Sequence, residues 1–363
     1  RSGLEPVAGA ARAFAWFGIA IGMLAVGAAM PSDVAAAPAP VGTPGLFESH
    51  EPLAAEIVFD FKELCRNPER KGCVDLPATF VYRDDLQTER RLAIALRTRG
   101  RYRADTVECD LPALFVLFTG DTRDTLFAGQ TMLPLTTHCQ RGADYEQYVL
   151  KEYLAYRIYN LLTTKSLRVR LMRVRYRDEG GRFKPVERYA FLTEHFDALA
   201  RREGAVVSKK EPFDPLMADA DEIATLDLFE YAIGNTDWSV VYGHNVLLVE
   251  SASGLVSPVP FDFDFSGLVN ARYASPPPQL RINSVRERVF RGVCRADTHW
   301  DRVFSRFAVH RADVLALVGD LVALEPRQRM DAVNYLEDAF ETFATPEERE
   351  RRIIEACRSA RAD

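Results

Sequence analysis

Residues 228–267 read LFEYAIGNTDWSVVYGHNVLLVESASGLVSPVPFDFDFSG, and the reading of the whole chain turns on them. Three polar points interrupt apolar sequence here: Asp237 in GNTDWS, Asn245 in GHN, and the pair Asp262 and Asp264 in PFDFDFSG. The apolar runs 246–249 and 259–265 read as short buried strands. GNTD and GHN are also good turn sequences, in which Asp or Asn bonds its own backbone. The DFDF pattern asks for more. In a strand, alternate residues share a face, so Asp262 and Asp264 would point the same way from an apolar strand. Two unpaired carboxylates there are costly without a cation.

A carboxylate, a carboxamide eight residues on, and carboxylates after a hairpin suit phosphoryl transfer. One Asp orients or deprotonates a hydroxyl; an Asn and a second Asp hold a divalent cation on nucleotide phosphates. Mg²⁺ takes oxygen ligands and keeps several waters, so one or two carboxylates suffice.

The 363 residues carry a net charge of −6 and are 47% hydrophobic, an ordinary globular composition. The mild acidity, with no long basic stripe, argues against nucleic-acid binding. Residues 1–45 read as a leader outside the fold. Arg12 precedes the apolar run AFAWFGIAIGMLAVGAAM (13–30), and small residues suited to cleavage follow near Ala35–Ala37. An uncleaved anchor, the only expected membrane contact, is the alternative. Both place the body outside the cytoplasm, in periplasm, at the cell surface or in the extracellular space.

Export gives the six cysteines a meaning, since an even count in an oxidising compartment favours disulfides. Sequence alone leaves every pairing open. Cys65–Cys73 would close a small loop, Cys109–Cys139 would bracket a hairpin, and Cys294–Cys357 would tie down the chain end. Zinc on His138 and Cys139 is a weak reading, because no CxxC or HxxxH spacing accompanies them.

Short apolar or alternating runs at 55–61, 79–82, 92–98, 113–118 and 132–136 predict strands. Arg97, Arg99, Arg101 and Arg103 alternate, giving one cationic face: a phosphate clamp or a charged, solvated edge. Residues 144–163 carry helical spacing, with Asp144 as N-cap. Residues 167–176 and 188–194 predict two strands paired across DEGGRFKP. Residues 226–233 lie on a second helix, and 303–343 carry further helical patterns.

LRTRGRYR (96–103), VLKEYLAYRIYN (149–160), FLTEHFDALARR (191–202), GNTDWSVVYGHN (234–245) and PVPFDFDFSG (258–267) together resemble the bacterial CotH-like atypical protein kinases and their exported relatives. The resemblance spans roughly residues 90–290, and its last two motifs are the specific ones. It implies an α+β, two-lobed protein-kinase-like fold, with a β-rich N-terminal lobe (about 46–195) and a mainly helical C-terminal lobe (about 196–363). It implies ATP with Mg²⁺ or Mn²⁺ as cofactors and a protein hydroxyl as acceptor. By the resemblance, Asp237 matches the catalytic Asp, and Asn245 and Asp262 the metal-binding pair, with Asp264 close by. Glu152 matches the Glu that pairs with a phosphate-binding Lys, and Glu194 falls beside the adenine. No Lys lies between Lys71 and Lys151, so Arg99 or Arg101 stands in for it, and no Gly-rich phosphate loop is present.

The competing expectation is a catalytically inactive binding module. A hydrolase using Asp262 and Asp264 as acid and base is disfavoured, because neighbours on one strand face seldom flank a scissile bond. A Ser-His-Asp hydrolase lacks its GxSxG elbow.

Overall fold

A computed structural model describes residues 45–66, 73–100 and 109–359. The leader at 1–44 and the arginines Arg101 and Arg103 lie outside the described residues.

The early alternating runs form the expected strands: β1 (Leu53–Phe59), β2 (Leu76–Arg83), β3 (Glu89–Thr98), β4 (Leu114–Phe118) and β5 (Met132–Thr136). The helix α1 (Ala143–Leu162) follows, then the hairpin β6 (Val169–Asp178) and β7 (Val186–Thr193). Among the described residues these seven strands close into a barrel in the order β1-β2-β3-β4-β5-β7-β6. Closure comes from a parallel pairing of β1 with β6, running from Leu53 opposite Met172 to Phe59 opposite Asp178. A closed barrel leaves no edge strand to protect.

This overturns the expected fold. The chain is not a two-lobed protein-kinase-like α+β fold with a β-rich N-terminal and a helical C-terminal lobe. It is a closed seven-stranded barrel with α1 inserted between β5 and β6, and a smaller sheet and further helices C-terminal to it. The physical reason is the β1–β6 contact. Alternation reports which face of a strand is buried, not which distant strand it pairs with.

The two faces of β6 and β7 show how barrel and helices join. Met172, Val174, Tyr176, Ala190 and Leu192 fill the barrel interior. Val169, Leu171 and Phe191 belong to a second core with α1. Most of α1 is buried on all sides, so it behaves as a core helix rather than an amphipathic surface one. It begins one residue before the expected N-cap: Gly142 caps it, and Asp144 sits in the first turn in an ion pair with Arg272. A carboxylate there suits the positive end of the helix dipole.

Beyond the barrel come α2 (Phe196–Arg202), β8 (Ala205–Val207), α3 (Ala220–Ile233), β9 (Val246–Ser251) and β10 (Val256–Pro260), then α4 (Trp300–Gly319) and α5 (Pro326–Ala344). The last three strands form a sheet in the order β10-β9-β8. Helices α4 and α5 pack on each other and complete the second core around α1 and α3.

The three disulfides are Cys65–Cys73, Cys109–Cys139 and Cys294–Cys357, the pairings that the sequence suggested. The zinc reading falls, since Cys139 is bonded to Cys109. Unreduced, denatured protein should therefore titrate with no free thiol, and with six after reduction. Six free thiols in protein recovered from an oxidising compartment would contradict these pairings.

His138, beside this second disulfide, is buried with its ring 5.7 Å from that of Tyr176. Burial, helped by Arg188, lowers its pKa from 6.5 to about 4. The unfolded chain takes up this proton near the ordinary value, so stability is full above it and is lost as pH falls towards the folded value. The loss should reach about 3 kcal/mol. His138→Phe should flatten the stability profile between pH 6.5 and 4 in urea unfolding, whereas parallel profiles would exclude His138 as the source.

Candidate functional site

The turn after α3 is built by Gly234 and Gly267. Gly234 ends the helix in left-handed conformation with φ of 66°, and its carbonyl accepts the Gly267 N–H at 3.0 Å. A Cβ on either glycine would overlap the Tyr335 hydroxyl, so neither position has room for a side chain. The two ends of the 234–267 segment are thereby clamped together, which brings its polar points into one neighbourhood.

Asp237 sits in this turn with its side chain about 34% exposed. Its N–H donates to Asn235 Oδ1 at 3.0 Å, the Asx bond expected of GNTD. The carboxylate is also engaged from the hairpin. Asn245 Nδ2 donates to Asp237 Oδ2 at 3.2 Å and to its carbonyl at 2.8 Å. His244 Nε2 lies 2.9 Å from Asp237 Oδ1, and this bond raises the His244 pKa above its ordinary value against partial burial.

Asn245 and Asp262 are both left-handed, with φ of 53° and 63°. They are joined through the backbone, the Phe261 N–H donating to the Asn245 carbonyl at 2.9 Å. Non-glycine residues in this region cost of order 1–3 kcal/mol and persist where the surroundings hold them. The Asp262 N–H donates to Tyr156 Oη at 2.9 Å, which ties the hairpin to α1.

The left-handed Asp262 corrects the sequence reading of DFDF. Residues 259–265 are not one strand: β10 ends at Pro260, and Asp262 and Asp264 do not share a strand face. Aromatic packing competes with the alternation and wins. Phe263 is fully buried, its ring 4.7 Å from Tyr156 and 5.3 Å from Phe229. Asp264 is buried and accepts the Tyr273 hydroxyl at 3.0 Å.

The other expected residues divide. Glu152 is buried on α1 one turn before Tyr156. Burial pushes the Tyr156 hydroxyl well up, and the Glu152 and Asp262 carboxylates push the same way while Arg99 opposes them. Arg99 also donates to Thr136 Oγ1 at 2.9 Å, on β5 where the expected Lys is missing. The other candidate for that role, Arg101, lies outside the described residues. Arg97 does not join a cationic face, because it forms a two-pronged pair with Asp75 at 2.7 Å. Glu194 is buried and held by Arg202 at 3.1 and 2.9 Å.

A cavity of about 420 Å³ opens beside this cluster, lined by Phe196, Val207, Lys209, Val246, Leu247 and Phe261 among others. Phe196 lies two residues past Glu194, and Phe261 and Val246 flank Asp262 and Asn245 in sequence. Sequence reasoning missed Phe196, Tyr156 and His244. Tyr156 had a signal, its spacing of one helical turn from Glu152.

Among the described residues no three His, Cys, Asp or Glu side chains converge as a metal cage. Asn245 and Asp262 instead offer an amide and a carboxylate on hydrogen-bonded backbones, which suits a cation that brings water and phosphate as its remaining ligands.

No protein-family model matches this sequence, and no curated protein matches it.

Proposed function

We propose that this protein is an exported phosphotransferase that uses ATP with Mg²⁺ or Mn²⁺ and acts on a protein hydroxyl, with motifs akin to those of CotH-like kinases. The observation that carries the reading is the junction of Asp237, Asn245 and Asp262, with two strained left-handed residues, beside a cavity of mixed apolar and polar lining. Its volume, about 420 Å³, falls in the range of small-molecule sites. Phe196, Val207 and Phe261 would pack against a flat base. The three disulfides support the export half of the reading. Among the described residues no helix is long and apolar enough to cross a membrane.

Bound ATP and cation would supply the phosphoryl group and neutralise the charge on it. Asn245 Oδ1 and the Asp262 carboxylate would hold the cation. Asp237 would orient the acceptor hydroxyl and take its proton, with His244 fixing one carboxylate oxygen and Asn245 the other. Arg99, held at Thr136 on β5, would face the phosphates in place of a lysine.

A second reading, a binding module without transfer activity, is favoured by one observation. Glu194, expected beside the adenine, is already occupied by Arg202. Incubation with γ-labelled ATP, Mn²⁺ or Mg²⁺ and a mixed protein acceptor separates the two. The phosphotransferase reading expects label in protein, and nucleotide binding without label would favour the binding module.

A further inference from the structure

The geometry points to Arg291 as the residue that positions the Asp237 turn, with the Cys294–Cys357 disulfide holding Arg291 in place. Arg291 Nη1 donates to the carbonyls of Thr236 and Trp238, at 2.6 and 2.7 Å, the two residues flanking Asp237. Its guanidinium also lies 5.3 Å from the Trp238 ring centre. The turn is thus gripped on both sides of the candidate catalytic residue by one cation. Trp238 adds its own bond, Nε1 donating to the Asn235 carbonyl at 3.2 Å.

Arg291 is in turn held from the chain end. Arg358 Nε and Nη2 donate to the Arg291 carbonyl at 3.0 and 2.7 Å. The backbones run together beside this contact: the Arg358 N–H donates to Gly292 and the Cys294 N–H to Arg358, both at 2.9 Å. Cys357 precedes Arg358 and is bonded to Cys294. This short parallel bridge is packed against α3, since a Cβ on Gly292 would overlap the Asp227 carboxylate. The disulfide, whose cysteines lie 63 residues apart, therefore bears on the Asp237 turn through the hydrogen bonds of Arg358 and Arg291 and the short backbone run from Arg291 to Cys294.

Only the functional consequence of this linkage rests on the phosphotransferase reading. Trp238 gives a readout that does not. In the full chain, W16F and W300F leave Trp238 as the one indole. Its emission and acrylamide quenching are then compared in this parent, in R291Q, in C294A/C357A, and in C65A/C73A as a control on the barrel side. The expected result is a red shift, with quenching raised at least about twofold by local loosening, in R291Q and C294A/C357A and not in the control. Where the parent transfers phosphate, kcat should fall in both variants with KM for nucleotide little changed. An unchanged Trp238 signal in folded R291Q, or equal signals in C294A/C357A and the control, overturns the inference. If C294A/C357A does not fold, R358Q decides: it keeps the disulfide and the backbone bridge and removes the side-chain bonds to the Arg291 carbonyl, so a shift supports the inference and no shift overturns it. A Trp238 shift in a protein that never transfers phosphate leaves this linkage standing and removes the phosphotransferase reading.

Discussion

Asp237→Asn should lower phosphoryl transfer by about 10²–10⁴-fold, the usual contribution of a positioned general base. The amide keeps the shape of the carboxylate and one acceptor oxygen but cannot take a proton. Nucleotide binding should change little, because Asp237 does not line the cavity and Asn245 keeps its bond to the Asp237 carbonyl. Folding should cost about 1 kcal/mol, since one of the bonds from His244 or Asn245 now meets an amide NH₂. The two effects separate the roles. If Asp237 only closes a turn, stability falls and activity per folded molecule does not. Single-turnover transfer measured beside urea unfolding distinguishes them, and a variant with full transfer removes the role.

Loss of the Asp262 carboxylate should abolish the joint stabilisation by nucleotide and cation. Ligand at a hundred times its dissociation constant stabilises a fold by about 2.7 kcal/mol. ATP with Mg²⁺ or Mn²⁺ should raise the melting temperature of wild type, and either alone should raise it less. Asp262→Ala confounds this test, because alanine at φ of 63° adds backbone strain of its own. Asp262→Asn keeps a residue that tolerates left-handed backbone and removes the charge. Its joint shift should vanish while the melting temperature of the bare protein stays close to wild type. Asp264→Asn should keep the shift, since Asp264 is buried against Tyr273. The opposite pattern, shift lost at 264 and kept at 262, would move the cation site.

Most strands and helices are legible because their patterns are local. The β6–β7 hairpin shows this: a largely alternating run and a Gly-Gly turn specify both strands and their pairing. The barrel is not legible. It depends on Leu53 finding Met172 across most of the described N-terminal half, and nothing in either strand names its partner. The site is legible in its residue types and not in its conformation. DFDF reads as a strand because its alternation is perfect. Burial of Phe263 between Tyr156 and Phe229, with Asp262 turned left-handed, sets the geometry instead. The supports that reach in from elsewhere, Tyr156 from α1 and Arg291 from the loop before α4, lie far along the chain from the motif they hold.

The most direct test is calorimetric titration of the full chain with ATP, with and without Mg²⁺ or Mn²⁺. The expected result is saturable binding that tightens with the cation by about 5–150-fold, the usual size of coupling between two ligands. Absence of binding heat at several temperatures with either cation would contradict it.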